Sequence, residues 1–236
     1  MTKTYFVSDL HLLAGHSDGD RALAEIRQVA RHADVVVLGG DIFDFRWAST
    51  LTMEEAARQA VEYLRRLTGQ FPGCQFHYVL GNHDYHRQFL GRLGELADGT
   101  PNLAWHRFHW RMGPNVFLHG DVMRRRMNAQ RLARSRSRWL DQRQRGALRS
   151  GLYEMIVAAG LHRPIPPLVH RKRKVARRIL AYLGQIGHGP EQGVRHVYFG
   201  HTHRQLGAFH YRGITFHNGG AAIKGLKYRI VRVESA

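Results

Sequence analysis

The sequence predicts an α/β fold in which two sheets pack together and a basic helical insert interrupts the second half of the chain. Three observations carry this prediction. Over the first hundred residues, short β-rich runs alternate with amphipathic stretches, which is typical of parallel strands joined by helices. After Pro101, β-rich runs follow one another closely, which indicates a second sheet. Residues 121–185 carry most of the net charge and have helical patterning.

The first half of the chain alternates strands and helices. Each predicted strand is an apolar or β-branched run, and each predicted helix has apolar residues at helical spacing, as Leu23, Ile26 and Val29 show. The predicted strands are residues 4–8, 34–38 and 76–80, and the predicted helices are residues 20–32, 53–67 and 86–97.

The chain after Pro101 is rich in strands outside the insert. Because these runs are short and follow one another quickly, they are typical of a second sheet packed on the first. We expect residues 1–120 and 186–236 to form one core, with residues 121–185 inserted as a cap. The predicted strands are residues 103–109, 115–119, 195–200, 206–211, 214–217 and 227–233.

The insert holds most of the charge of the molecule. The 236-residue chain has 36 Lys and Arg against 18 Asp and Glu, a net charge of +18, and residues 121–185 contain 17 of these bases but three of the acids. One amphipathic helix is predicted over residues 128–149, with Leu132, Trp139 and Leu140 as its apolar stripe, and a second over 175–183. Such an excess attracts nucleic acid, an acidic membrane face or phosphorylated substrates, and a solvated helix face remains the alternative.

The cysteine count and the hydropathy pattern limit the cellular compartments in which we expect the protein. Cys74 is the one cysteine, which excludes an internal disulfide framework and a cysteine-rich zinc site and fits a reducing compartment. No apolar run approaches the ~20 residues that span a bilayer, and the N-terminal residues indicate a first strand instead of a signal peptide. We therefore expect a cytoplasmic protein, with a peripheral position on the inner membrane left open.

Polar side chains follow five of the predicted strands at the point where each strand ends. The carboxyl ends of strands in an open α/β sheet line the ligand crevice, so clusters far apart in sequence can meet there. Asp44 and Asp121 have helix capping as an alternative role. The five clusters are Asp9-Leu-His11, Asp41-Ile-Phe-Asp44, Asn82-His83-Asp84, His119-Gly-Asp121 and His201-Thr-His203.

The residue types in these clusters indicate a site for two metal ions. No thiolate is available, and the mixture of Asp, Asn and His suits Mn²⁺, Fe²⁺ or Zn²⁺, among which ligand hardness favours Mn²⁺. The ligands are too many for one ion. Two neighbouring ions need a bridging carboxylate, and Asp41 is centrally placed for that role. Paired metals of this kind serve phosphoryl chemistry.

The five clusters, in this order, resemble the motifs of the calcineurin-like metallophosphoesterase superfamily over residues 9–203. The resemblance implies a two-sheet β-sandwich flanked by helices and in-line attack on phosphorus by a metal-bound hydroxide. It also implies that His83 contacts the phosphate and protonates the leaving oxygen, and that Asp84 orients His83. The implied ligands are Asp9, His11, Asp41 and His203 for one metal, and Asp41, Asn82, His119 and His201 for the other.

Within the superfamily, the layout is similar to that of the UDP-2,3-diacylglucosamine hydrolases. The similarity lies in chain length, in the stretch Ser8-Asp9-Leu-His11-Leu, in Leu118-His-Gly-Asp121 and in the helical insert that follows. It implies cleavage of a pyrophosphate bond in lipid A biosynthesis, a nucleotide-linked lipid as substrate and an anionic membrane surface as partner. The residues expected to contact substrate are Asn82, His83, Arg124 and Arg125.

Two departures from that family leave other activities open. The family usually has arginine at the position of His83, and its acidic stretch after His-Gly-Asp is replaced here by Val122-Met-Arg-Arg-Arg. The alternative activity is a metal-dependent phosphodiesterase or nuclease acting on nucleic acid or nucleotides, whose backbone the basic insert would hold. A scaffold without activity is the third alternative, although every ligand position is filled. The oligomeric state is left open.

Overall fold

The first sheet is built from the beginning of the chain and its last strand. The computed structural model describes residues 2–123 and 127–234. Four parallel strands lie side by side in chain order, namely β1 (Thr4–Val7), β2 (Val35–Leu38), β3 (Gln75–Val79) and β4 (Leu103–His106). The helices that connect them are α1 (Gly19–Ala30), α2 (Met53–Gln70) and α3 (Arg87–Asp98).

The second sheet also has five strands and a parallel centre. Strand β6 (Asn115–Leu118) runs parallel to β7 (His196–Phe199), which runs parallel to β9 (Ile214–Asn218). The antiparallel edges are β5 (His109–Met112), beside β6, and β8 (Leu206–Tyr211), beside β9. The last strand, β10 (Val231–Arg232), joins the first sheet antiparallel to β1.

The two sheets pack face to face, and side-chain alternation along each strand fills the space between them. In β2, Val35 and Val37 belong to the apolar cluster between the sheets, whereas Val36 and Leu38 pack towards the helices. The ring of Phe6 stacks on Phe117 across the interface, with centroids 6.0 Å apart. Helices cover both outer faces, so the predicted two-sheet sandwich flanked by helices is confirmed.

Helix α2 illustrates why the flanking helices form where they do. Thr52 and Glu55 form a reciprocal capping box at its start, which stabilises a helix by about 1 kcal/mol. Ala56, Ala60 and Leu64 recur at helical spacing and are fully buried against the first sheet.

Among the described residues between β6 and β7, where the insert is predicted, there are four α-helices. They are α4 (Ala129–Ser137), α5 (Ala147–Ala158), α6 (Ile165–Val169) and α7 (Lys172–Gln185). Whether residues 121–185 form a separable unit stays a prediction. In the described residues, no helix is long and apolar enough to cross a membrane.

The prediction of one helix over residues 128–149 is wrong. Helix α4 ends at Ser137, and turns lead to α5. The predicted apolar stripe is divided between two cores: Leu132 packs on the second sheet, whereas Trp139 and Leu140 pack against the cluster beneath the first sheet. A straight helix cannot place one stripe in two cores, so tertiary packing overrides the local pattern.

Two of the predicted strands differ from the structure. Residues 103–109 are not one strand, because β4 is an edge of the first sheet and β5 an edge of the second, and the chain crosses between sheets at Arg107 and Phe108. The strand predicted over 227–233 is reduced to β10, because the preceding residues bond to the turn at Gly219 and Gly220.

Candidate metal centre

The carboxyl ends of β1, β2, β3, β6 and β7 meet at one end of the sandwich, and they bring the five predicted clusters together. One group consists of Asp9, His11 and His203, whose potential ligand atoms lie within 4.8 Å of one another. Asp9 and His11 are buried in the loop after β1, and His203 is 28% exposed in the loop after β7. These three residues could hold one metal ion.

A second group lies beside the first and could hold another ion. It consists of Asp41, His119 and His201, again with potential ligand atoms within 4.8 Å of one another. The amide oxygen Oδ1 of Asn82 lies 3.2 Å from Nε2 of His119, so Asn82 belongs to this group as well.

Asp41 lies between the two groups, as a bridging ligand requires. Its Oδ2 is 3.1 Å from Nε2 of His119 on one side, and on the other its carboxylate lies with His11 and His83 in a third potential ligand group. The other oxygen, Oδ1, accepts a hydrogen bond of 2.7 Å from the backbone N–H of His83.

The backbone at the ligand positions is strained. Among the described residues, seven that are not glycine have positive φ, and five of these are predicted ligands. Left-handed backbone costs about 1–3 kcal/mol at a residue with a β-carbon, and persists where surrounding contacts over-determine it. Backbone bonds from Asp9 N to Gly40 O and from His11 N to Asp41 O supply such contacts. The five strained ligands are Asp9, His11, Asp41, His201 and His203.

Glycines next to the ligands allow the loops to approach. A β-carbon at Gly81 would collide with the carboxylate of Asp41, and one at Gly200 would collide with that of Asp9. The glycines of the sequence motifs are therefore part of the geometry that brings the loops after β1, β2, β3 and β7 together.

The polar atoms of the two groups fit cations better than they fit one another. Nε2 of His11 faces Nε2 of His203 at 3.1 Å, and Nε2 of His119 faces Nδ1 of His201 at 3.2 Å. Burial lowers the pKa of His201 to about 3, so its imidazole is neutral at pH 7 and keeps a lone pair that could bind a metal ion. Oδ2 of Asp9 is buried without a hydrogen-bond partner, and burial raises the pKa of this carboxyl to about 6. Divalent cations would satisfy these lone pairs.

His83 is held by Asp44, and the prediction that Asp84 orients it is wrong. Oδ1 of Asp44 lies 2.8 Å from Nδ1 of His83, and its Oδ2 lies 3.0 Å from Nδ1 of His11. Burial alone would lower the pKa of His83, but the carboxylates of Asp44 and Asp41 raise it to about 9.

Asp84 has a different structural task. Its carboxylate accepts hydrogen bonds from the backbone N–H groups of Asp41, Phe43 and Gly81, at 2.6, 2.9 and 2.8 Å. It therefore ties the loop after β2 to the loop after β3.

Arg136 is a residue of the site that the sequence interpretation missed. Its guanidinium is 1% exposed and forms a bidentate ion pair with Asp121. The buried Leu132 precedes it by one helical turn, a spacing that could have marked Arg136 as inward-facing. Arg124 and Arg125, which the sequence predicts to contact substrate, lie outside the described residues.

A cavity of about 570 Å³ opens over the two groups. Its floor includes Asp41, Asn82, His83, His201 and His203. Its walls come from the loop after β2 and from the helices and turns between β6 and β7, namely Arg46, Trp47, Met123, Trp139, Ile165, Pro166, Val169, His170, Arg171, Lys174, Val175 and Arg178.

The sequence and the fold both resemble those of known phosphoesterases. The sequence profile described as calcineurin-like phosphoesterase matches residues 2–205. Among solved structures, a dimetal phosphatase from Danio rerio is similar with a TM-score of 0.50, over 94% of this chain and 88% of its own. At 13% sequence identity this likeness concerns the fold alone.

Similar curated proteins carry the name UDP-2,3-diacylglucosamine hydrolase. The protein from Nitrosococcus oceani is 26% identical over 212 residues, which cover 85% of this chain and 78% of that protein. The one from Chromohalobacter salexigens is 39% identical over 104 residues, or 43% of this chain and 41% of that protein. One from Vibrio cholerae is 32% identical over 122 residues, or 51% and 48%. In the last two, the match spans less than half of the relative.

Proposed function

The chain belongs to the calcineurin-like phosphoesterase family, and on that premise we propose that it cleaves the diphosphate bond of a nucleotide-linked lipid with the help of two divalent metal ions. The names of its relatives support this substrate class. The observation that carries the proposal is a single cavity that joins the carboxylate and imidazole cluster to an exposed apolar surface.

The apolar surface lies on helices α5 and α6 and the turn between them. In the part of the chain that the structure describes, the large hydrophobic side chains that are exposed all fall between Leu148 and Val169. Ile165 and Val169 also line the cavity, so the surface reaches the cluster. Such a patch fits acyl chains better than it fits water. Its members are Leu148, Leu152, Met155, Leu161, Ile165, Leu168 and Val169.

The two metal ions are proposed to bind in the two groups described above. Asp9, His11 and His203 would hold one, Asn82, His119 and His201 the other, and Asp41 both. When bound, the ions act as Lewis acids on phosphate oxygens and lower the pKa of water. The ligand set suits Mn²⁺, with Fe²⁺ and Zn²⁺ as alternatives.

The remaining residues of the cavity bind and orient the substrate. His83 lines the cavity, and Asp44 holds its Nδ1, so its Nε2–H is directed to donate to a phosphate oxygen or to the leaving oxygen. Arg171, Lys174 and Arg178 line the same cavity and would neutralise the second phosphate of a diphosphate.

The proposal is tested with purified protein and UDP-2,3-diacylglucosamine in detergent micelles. We expect Mn²⁺-dependent release of UMP, abolished by a chelator and restored by added metal. Turnover of bis-p-nitrophenyl phosphate measures the metal centre separately. If this small ester is hydrolysed but the lipid is not, then the phosphoesterase chemistry stands and the substrate assignment fails.

A membrane position follows from the same surface and can be measured. Arg149 and Arg163 lie in the same segment as the apolar surface, and basic residues beside apolar ones favour the anionic cytoplasmic face of an inner membrane. Sedimentation with vesicles containing phosphatidylglycerol should bring the protein down, and vesicles of phosphatidylcholine alone should not.

A basic groove favours a nucleic-acid phosphodiesterase as the second candidate function. A cavity of about 630 Å³ between α7 and the β8–β9 hairpin is lined by Arg171, Arg173, Lys174, Arg177 and Arg212, with His210 and the aromatic residues Phe209 and Tyr211. Cations and aromatic rings together suit single strands. Cleavage of single-stranded DNA that falls steeply with salt, together with no UMP release from the lipid, would favour this candidate.

A further inference from the structure

Arg136 belongs to helix α4, yet all of its side-chain contacts that the structure shows lie around the candidate metal centre. Nη1 donates a hydrogen bond of 2.6 Å to the carbonyl oxygen of Gly81, while Nε and Nη2 donate to the two carboxylate oxygens of Asp121. The guanidinium also lies over the ring of Tyr85, 5.6 Å from its centroid. A buried arginine is thus bonded to two of the strand-end loops at once.

The orientation of the Gly81 carbonyl affects the position of the predicted ligand Asn82. It belongs to the peptide group that leads into Asn82 and His83, and the N–H of Gly81 is bonded to Asp84. Both polar groups of Gly81 are therefore held, one by Asp84 and the other by Arg136. Gly81 also packs directly on the carboxylate of Asp41, so the loop has little free space here, and rotation of this peptide would move Asn82.

Asp121 fixes the arginine from the second sheet. It follows the His119-Gly turn after β6, so one bidentate pair anchors Arg136 to the loop that carries His119. Leu132, on the same face of α4, packs into the core of the second sheet and holds the helix in place. Arg136 therefore connects the loop of Asn82 with the loop of His119, and both residues lie in the same group.

We infer that Arg136, anchored by Asp121, is a positioning residue that sets the loop of Asn82 and His83 through the carbonyl of Gly81, so that helix α4 is an integral support of the metal centre. The inference rests on the proposed two-metal function. Its effect should be larger at one metal site, because Arg136 bonds to the loops that carry Asn82 and His119 and, in the described residues, contacts neither His11 nor His203.

The test uses Arg136→Lys, Arg136→Gln and Asp121→Asn, with Arg134→Gln as the matched control on the exposed face of α4. Lysine can keep the ion pair with Asp121 but cannot also hold the Gly81 carbonyl, because it lacks the guanidinium fork. Mn²⁺ titration of the metal-free proteins by calorimetry gives the affinities of both sites, and thermal unfolding gives their stability.

We expect Arg136→Lys to unfold close to the wild-type temperature, to bind one Mn²⁺ normally and to bind the other about 10–100-fold more weakly. Its kcat on bis-p-nitrophenyl phosphate should fall with little change in KM, and Arg134→Gln should match the wild type. If Arg136→Gln does not fold, Arg136→Lys and Asp121→Asn decide the question.

Two outcomes would overturn the inference, and a third would contradict the proposed function. Two wild-type Mn²⁺ affinities and a wild-type kcat in Arg136→Lys would show that the Gly81 contact positions nothing, and the inference would be wrong. Equal weakening of both sites would show a general structural role and would also overturn it. Wild-type protein that binds no Mn²⁺ would instead contradict the proposed function.

Discussion

The strand-end loops bury their charged side chains, whereas helices α5 to α7 expose theirs. In the loops, carboxylates and imidazoles are buried and bonded to one another or to backbone groups, as Asp44 and Asp84 show. In helices α5 to α7, basic residues such as Arg149 and Arg173 are exposed, and α5 and α6 also expose aliphatic side chains, whereas Arg136 of α4 is buried at the metal centre. The difference indicates that the loops fix the geometry of the site, whereas α5 to α7 keep their charged side chains on the surface.

The loops are the region where single changes should have the largest effects. Asp41→Asn removes the negative charge shared by both proposed metal sites. We expect turnover of bis-p-nitrophenyl phosphate to fall by about a thousandfold or more, because several kcal/mol of transition-state stabilisation depend on the metals. Metal content of the dialysed protein should fall as well, and Asp98→Asn, an exposed change at the end of α3, serves as control. Near-normal turnover in Asp41→Asn would contradict the bridging assignment.

His83→Ala should separate chemistry from metal binding. His83 is proposed to donate a proton and not to bind metal, so kcat should fall by about 10²–10⁴-fold while metal content stays at the wild-type value. Kinetics and elemental analysis on the same preparation measure both. Loss of metal in this variant would make His83 a ligand.

Substitution of Asp44 should mainly lower activity, whereas substitution of Asp84 should mainly lower stability. Asp44→Asn weakens the hold on His83 and His11, and we expect about 10–100-fold lower kcat with a small change in stability. Asp84→Asn disturbs three backbone hydrogen bonds, and we expect about 1–3 kcal/mol lower free energy of unfolding. Denaturant unfolding and kinetics on both variants test the distinction, which fails if the two changes give the same profile.

Changes to the insert surface should leave the small-ester reaction unaffected. Leu148→Ser combined with Leu168→Ser should lower binding to anionic vesicles, while the free energy of unfolding stays within about 0.5 kcal/mol per site because both side chains are exposed. The contrasting variant is Val157→Ser, buried in α5, which should lower stability measurably. Unchanged vesicle binding in the double variant would remove the surface from the membrane proposal.

The smallest effect is expected away from both regions, between the sheets. His77 stacks on Trp110 with centroids 3.6 Å apart and bonds to His106 at 3.0 Å. Burial lowers the pKa of His77 and of His106 to about 4, against 6.5 when unfolded. As the pH falls, the unfolded chain therefore binds protons at a higher pH than the folded protein does. The stabilisation present above pH 6.5 is lost as pH falls towards 4.

His77→Phe should reduce this pH dependence while keeping the ring stack. Denaturant unfolding at pH 7 and pH 5 measures it, with His32→Phe on the exposed turn after α1 as control. An equal loss of stability between these pH values in wild type and His77→Phe would contradict the prediction.

The fold and the candidate ligands could be predicted because their signals are local. A β-branched run followed by Gly-Gly-Asp or Gly-Asn-His-Asp carries its strand, its exit and its polar groups within ten residues. The division of Leu132 and Trp139 between two cores, and the crossing from β4 to β5, depend on packing between distant segments, which no local pattern contains. The partnership of His83 with Asp44 instead of the adjacent Asp84 was missed for the same reason.

The left-handed backbone at the five candidate ligands has an evolutionary consequence. Glycine adopts that conformation without a steric penalty, so replacement of His203, whose side chain is 28% exposed, by glycine should make the metal-free chain more heat-resistant while destroying its activity. A library screened for survival on heating would drift towards glycine at this position, and one screened for catalysis would retain histidine. Sequencing both pools would show whether the left-handed backbone at a ligand is retained for catalysis at a cost in stability.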